Sequence, residues 1–316
     1  MDEISVQLPG FAPAARLIKA PGNVGFAAGA NLGVAAARGE LIVLLNPDAV
    51  VCEGFLDAIR APWGGSLDAW MALVTMDSGT SINTSGGVLH FTGLAWAGQL
   101  GLPLSEAPSR PAAVGFLSGA CLAIPAATWK RLGGFPERYF MYCEDVDLSL
   151  RIRLGGGQLA LIPDARVVHA YEFHKGAVKW RLLERNRWAT IIRCYPAPLL
   201  ALVAPALLGA ELAVWAVALR DGWAVAKARA SAELLVALPR LLRERREIQR
   251  RRVIGAYEFS AALTAQLSSP HLQPARLPLL GAGLDAYWRA VRALLRLCGP
   301  GRGRGAPADH RRAGVR

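Results

Sequence analysis

Little in this sequence marks a secreted or zinc-stapled protein. Its five cysteines (Cys52, Cys121, Cys143, Cys194 and Cys298) are scattered, with no CxxC pair and no paired-histidine spacing. That argues against a disulfide framework or a zinc site and fits a reducing cytoplasm. The opening MDEISVQLPGF has neither a basic n-region nor a long apolar run, so no signal peptide is expected there. There is no internal repeat. Charged residues make up only 19% of the chain against 53% hydrophobic ones, and 316 residues are enough for a full domain core with extra elements.

The first two thirds also lack any excess of one charge. Residues 1–219 hold 17 basic and 17 acidic side chains, whereas residues 220–316 hold 19 and 7, so the whole net charge of +12 sits in the last part. A neutral half followed by a basic half points to a polyanionic partner, either nucleic acid or an anionic membrane surface. Nucleic-acid binders interleave Arg with aromatic or polar readers. Here AKARASAELLVALPRLLRERREIQRRRVI mixes Arg with Leu, Ala and Val, which favours a membrane surface and no nucleic acid. A merely solvated helix face is the plainer alternative.

From Arg16 to Tyr171 short apolar runs alternate with helical stretches. RLIKA reads as a strand, AAGANLGVAAARGE as a helix closed by Gly39, LIVLLN as a fully buried strand, and CEGFLDAIRAP as a helix stopped by Pro62. GACLAIP, QLALIP and ARVVHA read as further strands; AATWKRLGG and the acidic stretch up to Leu154 read as helices. This alternation predicts an α/β domain with a mostly parallel sheet flanked by helices. A different regime begins near Trp180. Ala197 to Leu219 carries a single charge, Glu211, and as a helix at ~1.5 Å per residue reaches about 35 Å, enough to cross a bilayer. A single crossing would put the Arg-rich stretch outside, against the positive-inside tendency, and Pro196, Pro198 and Pro205 weaken a straight span. An interfacial or re-entrant helix pair is expected, with a true span as the alternative. Three regions follow: 1–195, an α/β domain; 196–260, apolar and basic amphipathic helices; and 261–316, a helical or disordered basic tail.

Two places could carry chemistry. In VLLNPDAVV, Asn46-Pro47-Asp48 ends an apolar strand, at the sheet edge where open α/β folds bind ligands. Pro47 cannot join a ladder, so the chain leaves the sheet there and exposes Asp48. A carboxylate at that edge suits a divalent cation on a diphosphate, but a plain turn carboxylate is equally open. In YFMYCEDVDLSLRIRLGGG, Glu144, Asp145 and Asp147 crowd a helix start behind Phe, Met and Tyr. They read either as a cap with dipole-favoured neighbours or as a carboxylate of raised pKa at a pocket mouth. His169, after an apolar strand, reads by itself as structural more readily than as a ligand.

Taken together, NVGFAAGANLGVAAARGELIVLLNPDAVV and, further on, SGACLAIPAATWKRLGGFPERYFMYCEDVDLSLRIRLGG resemble the family 2 glycosyltransferases of GT-A fold. The nearest subgroup is the bacterial rhamnosyltransferase-like enzymes of cell-surface polysaccharide assembly. The resemblance runs over roughly residues 16–195. It implies that Asn46 and Asp48 stand at the DxD-type metal and diphosphate motif, with Asp48 its sole carboxylate. Asn23, Gly25 and Asn31 fall in the nucleotide-side loop and helix, and Gly119 and Ala120 in the turn lining sugar and acceptor. Asp145 matches the general base, Glu144 its acidic neighbour, and His169 a histidine that can complete the metal shell.

The implied reaction is inverting transfer of a rhamnose-like sugar from a nucleoside-diphosphate donor to a hydroxyl of a polysaccharide or lipid-linked acceptor. It would use Mg²⁺ or Mn²⁺ and take place at the cytoplasmic face of the cell membrane. The family normally opens with a VSVVIVTYN-type strand and a second strand ending in a VDNxSxD loop. Met1–Phe11 resembles the helix after both, so the nucleotide-binding strands are expected to lie upstream of Met1. If they are truly lacking, the alternative is a catalytically impaired membrane adaptor that keeps the fold.

Overall fold

In a computed structural model the described residues are 15–169, 176–268 and 278–297. The Gly/Pro/Arg-rich tail and Met1–Phe11 lie outside them. The centre of the fold is β3 (Ala69–Met76), buried along nearly its whole length, and β9 (Leu159–His169) beside it. β8 (Cys121–Pro125) lies on the other side of β3, and β1 (Leu41–Leu45) lies outside β8. β2 (Ala49–Val51) flanks β9, while β4 (Ser81–Thr84) and β7 (Ala112–Ala113) pair with β3 and β9. A separate hairpin joins β5 (Gly87–Leu89) to β6 (Ala95–Ala97). The mostly parallel sheet expected from strand–helix alternation is not found. Among the described strands only β3–β9 runs parallel, and every other ladder is antiparallel. β8 enters from a loop on the opposite side and runs against both its neighbours, a choice that hydrophobic patterning does not encode.

Three further expectations are corrected. QLALIP and ARVVHA form one strand, because Pro163–Ala165 bulges out while the pairing resumes from Ile162 to Arg166; proline has no N–H for the ladder. LIVLLN is not fully buried, since among the described residues β1 pairs on one side only and leaves Val43 and Leu45 exposed. RLIKA is irregular, with Leu17 and Ile18 in solvent and no ladder among the described residues.

The helices that matter for the site are α1 (Gly25–Ala36), α3 (Ala126–Leu132), α4 (Glu144–Leu154) and α5 (Gly176–Cys194), with the short α2 (Phe55–Arg60) below β9. Beyond them run α6 (Ala197–Arg220), α7 (Ala224–Arg250), α8 (Ala256–Ser260) and α9 (Pro278–Leu297). One apolar cluster fills the sheet and α1–α4 side. A second joins Val146 and Leu150 of α4 and Ile191 of α5 to Leu199, Val203 and Leu207 of α6 and to Phe259, Trp288 and Val291. That cluster crosses residue 195 without a break, so the later helices are built onto the α/β unit.

α6 is long and apolar enough to cross a membrane, yet little of it is buried. Its inner face holds Leu199, Val203 and Leu207; its outer face leaves Leu208, Leu212, Val217 and Leu219 in solvent. α7 likewise leaves Val225, Leu235, Val236 and Leu242 exposed. The one charge of the apolar stretch, Glu211, turns inward to Arg187 Nη2 (2.9 Å), Lys227 Nζ (2.6 Å) and the Trp188 indole N–H (2.8 Å). Glu184 closes the network, paired with Arg187 (2.8 Å) and Lys227 (2.6 Å).

Candidate active site

The loop between α3 and α4 gathers the site. Phe140, Tyr142 and Cys143 all have positive φ, at 63°, 72° and 63°, which non-glycine residues adopt only under constraint. This winding ends at Glu144 and Asp145, in the first turn of α4. The helix cap itself is Cys143, whose side chain makes no capping bond. Asp145 therefore does not cap. Its Oδ2 instead accepts from the Gly119 amide across the site (3.0 Å) and its Oδ1 from Val146 N–H (2.8 Å).

Gly119 is needed where it stands. A Cβ there would press on the Phe26 ring at 3.2–3.3 Å and sit 3.6 Å from Asp145 Oδ2. One residue on, the Ala120 carbonyl accepts from Asn46 N–H (2.9 Å), at the end of β1. The two residues Gly119-Ala120 thus tie the α4 carboxylate to the Asn-Pro-Asp edge. Ser118 Oγ accepts from Ala120 N–H and steadies the turn.

At that edge His169, buried at the end of β9, sets Nε2 3.0 Å from Asp48 Oδ1 and 3.4 Å from Asn46 Nδ2. β2 pairing with β9, Ala49 opposite His169, brings them together. A single ring nitrogen can donate to the carboxylate or accept from the amide, not both. Asp48 is more than half exposed, whereas Asn46 Oδ1 is buried with no partner among the described residues. An orphaned amide oxygen, a carboxylate and an imidazole form a donor set that fits a hard divalent cation. Among the described residues no group of three His, Cys, Asp or Glu side chains could hold a metal ion; this edge offers two such side chains, Asp48 and His169, with the Asn46 amide beside them.

Electrostatics separate the acidic residues of α4. Burial raises the Asp145 carboxyl, partly offset by the Gly119 and Val146 amides. Glu144, buried and with Oε2 unpartnered, is pushed well up by burial and by Asp145 beside it. Asp147 goes the other way. Although burial opposes it, Arg193 (2.9 Å) and Arg151 (2.6 Å) hold its carboxyl below the usual range, as a structural anion.

The nucleotide-side candidates lie apart from this edge. Asn23 is exposed and its Oδ1 accepts from Gly25 N–H (3.2 Å). Gly25, at φ 79°, lets α1 start hard against Phe140, whose carbonyl oxygen a Cβ would strike; Ala27 N–H then donates to that carbonyl (3.1 Å). Asn31 spends its amide on the backbone, donating to Phe135 O and accepting from Phe135 N–H, both at 3.0 Å. Its Nδ2 also donates to Glu137 Oε1 (3.2 Å). Sequence reasoning missed Asn186 and Arg185 of α5, whose side chains reach the carbonyls of the α3–α4 loop. The ERNRW string was the one available signal.

Residues 1–190 match the family described as "Glycosyltransferase like family 2". The N-acetylglucosaminyl-diphospho-decaprenol L-rhamnosyltransferase of Mycobacterium tuberculosis (strain H37Rv) is 30% identical over 191 residues, covering 50% of this chain and 59% of that protein. The rhamnosyltransferase WbbL of Escherichia coli K12 is 33% identical over 81 residues, covering 24% of this chain and 30% of that protein. This chain thus spans well under two thirds of the curated relatives it matches. Among solved structures, GalNAc-T7 with UDP, GalNAc and Mn²⁺ superposes with a TM-score of 0.50 at 14% identity, over 64% of this chain and 41% of that one, a likeness of fold. With a family match over more than half its length, a mixed α/β fold of the glycosyltransferase kind and rhamnosyltransferase relatives, the chain belongs to glycosyltransferase family 2, on its rhamnosyltransferase-like side.

Proposed function

We propose that the protein is an inverting glycosyltransferase that moves a rhamnose-like sugar from a nucleoside-diphosphate donor to a hydroxyl of a lipid-linked or polysaccharide acceptor. The observation that carries the reading is the Gly119-Ala120 bridge, which fastens Asp145 to the Asn46–Asp48–His169 edge through two hydrogen bonds. Transfer with inversion needs a base on the incoming hydroxyl and charge neutralisation on the departing diphosphate, and these are the two ends of the bridge.

Asp145 takes the hydroxyl proton as the acceptor oxygen bonds to the anomeric carbon and the bond to the diphosphate oxygen breaks. Burial brings its pKa toward working pH, and the Gly119 amide fixes its direction. Burial and the neighbouring Asp145 push the Glu144 carboxyl upward, which disfavours a second charge beside the base. Asn46, Asp48 and His169 would hold the Mg²⁺ or Mn²⁺, which supplies positive charge to the diphosphate as it leaves. Asn23 and Gly25 would border the nucleotide.

The outer face of α6 is apolar up to Arg220, and the exposed face of α7 mixes Val225, Leu235 and Val236 with Arg229, Arg243, Arg246 and Arg250. With Glu211 turned inward, this surface suits the headgroup–acyl boundary of an anionic membrane on the cytoplasmic side. The M. tuberculosis relative is named for a decaprenol-linked acceptor, which fits such a site.

The test is transfer of radiolabelled L-rhamnose from its nucleoside diphosphate to N-acetylglucosaminyl-diphospho-polyprenol in vesicles, with Mn²⁺ titrated. Asp48→Ala and His169→Ala should each raise the Mn²⁺ needed for half activity by about 10-fold or more while the fold persists. The same Mn²⁺ dependence in both variants would remove the cation from this edge.

A further inference from the structure

The segment Tyr139–Cys143 turns its carbonyls toward α5, and one side chain collects most of them. Asn186, 1% exposed, donates through Nδ2 to Tyr139 O (3.0 Å), Met141 O (2.9 Å) and Tyr142 O (2.8 Å). An amide nitrogen has two hydrogens, so the three carbonyls share them in a bifurcated arrangement. The orientation of the amide is itself fixed: Asn186 Oδ1 accepts from Arg185 Nε (3.0 Å). Arg185 also donates to Arg138 O (3.0 Å) and Tyr139 O (2.9 Å), and Glu233 of α7 anchors it at 3.0 Å. The other two carbonyls face elsewhere: Phe140 O accepts from Ala27 N–H of α1, and Cys143 O from Asp147 N–H of α4.

Two of the three left-handed residues, Tyr142 and Cys143, stand immediately before Glu144 and Asp145. Such a winding relaxes unless its surroundings over-determine it. Here Asn186 constrains Met141 and Tyr142 from outside the loop, and a relaxed winding would re-aim the first turn of α4. The Asp145 carboxylate would then leave the Gly119 amide.

We propose that Asn186 is the positioning residue for Asp145: by gathering the Tyr139, Met141 and Tyr142 carbonyls it holds the left-handed loop that aims the carboxylate at the acceptor. The proposal deepens the glycosyltransferase reading and rests on Asp145 as the base. Asn186 itself is walled off from substrate by the loop it holds.

The experiment compares wild type, Asn186→Ala, Asn186→Ser and Asp145→Asn, each as the full chain. The readouts are the rhamnosyl-transfer assay described above and amide hydrogen exchange of the peptide covering 139–146. Misaiming a reacting group by about an ångström costs on the order of 100-fold in rate. Asn186→Ala should lose about that in kcat, with KM for the nucleotide-sugar within about twofold of wild type, because the diphosphate edge lies on the other side of the bridge. Asn186→Ser, which keeps one donor, should fall between wild type and Asn186→Ala. In both, exchange should quicken in 139–146 while β3 and β9 stay protected.

Wild-type kcat in Asn186→Ala together with a dead Asp145→Asn would overturn the positioning role and leave the base assignment standing. Full activity in Asp145→Asn would instead sink the base assignment. Faster exchange spread over β3 and β9, or a donor KM rising in step with the loss of kcat, would reduce Asn186 to a stabiliser of the whole fold and also overturn the proposal. If Asn186→Ala does not fold, the serine variant decides by the same split.

Discussion

Replacing Asp145 with Asn separates chemistry from structure. The side chain keeps its shape but loses the ability to accept the acceptor proton, which typically costs 10²–10⁴-fold in rate, or roughly 3–5 kcal/mol of transition-state stabilisation. The structural cost can be worked from its two bonds. Asp145 receives N–H donors at both oxygens, from Gly119 and Val146. An asparagine can meet one of them with Oδ1 but presents NH₂ to the other, so one amide loses its acceptor, a penalty of about 1–3 kcal/mol. Relief of a carboxylate whose pKa burial has raised offsets part of this. At roughly 2–4 °C per kcal/mol, Tm should drop by no more than several degrees. The assay is initial-rate transfer at saturating donor from pH 5 to 9, with calorimetry in parallel. Wild-type kcat should fall toward acid pH through a pKa above the ordinary aspartate range, since the base works deprotonated, and the variant should be flat and low. Turnover within about threefold of wild type, with the fold intact, would refute the reasoning, because no general-base contribution is that small.

Two further outcomes test the rest of the molecule. His90 is buried, bonded to Thr92 Oγ1 (2.7 Å) and Ala265 O (3.2 Å), and burial pushes it down from 6.5 to about 4. Its folded-state preference for the neutral form leaves stability intact above pH 6.5 and erodes it as pH falls toward about 4, by about 3 kcal/mol in all. His90→Gln should therefore flatten the fall in urea midpoint over that window, and an unchanged slope would show that another group drives it. Leu208 and Leu212 are each 63% exposed, so changing both to Glu should leave the fold intact. It should cost about 3–6 kcal/mol of membrane burial and abolish flotation with anionic liposomes. Should high salt alone strip the unaltered protein from those liposomes, the apolar face is not what binds.

What could be read from the sequence was local. Gly133 after Leu132 and the acidic first turn at Glu144 gave α3 and α4 near their true limits, because punctuation and dipole preference act within one turn. Strand direction was not legible, since β8 lies antiparallel to both neighbours for reasons of chain path. The pairing of Asp48 with His169 depends on β2 lying beside β9, a contact 121 residues apart in sequence. Asn186 looked like any polar residue on a charged helix; its meaning lies in carbonyls 44 to 47 residues earlier, which carry no sequence signature. The bonds of Asn31 to the Phe135 backbone were no more legible, since they join residues 104 apart in sequence.

Glu211 also bears on how the protein is made. The ribosome releases α6 with Arg187 already behind it, while Lys227 has yet to emerge. During that interval Glu184 and Glu211 compete for one guanidinium, and the apolar segment carries a charge it cannot fully hide. A segment in that condition partitions poorly into lipid. Only when α7 folds back and Lys227 reaches both carboxylates is the Glu211 charge fully matched. On the membrane reading proposed above, engagement would be deferred until α7 has folded back, and α6 alone would not serve as a free-standing anchor.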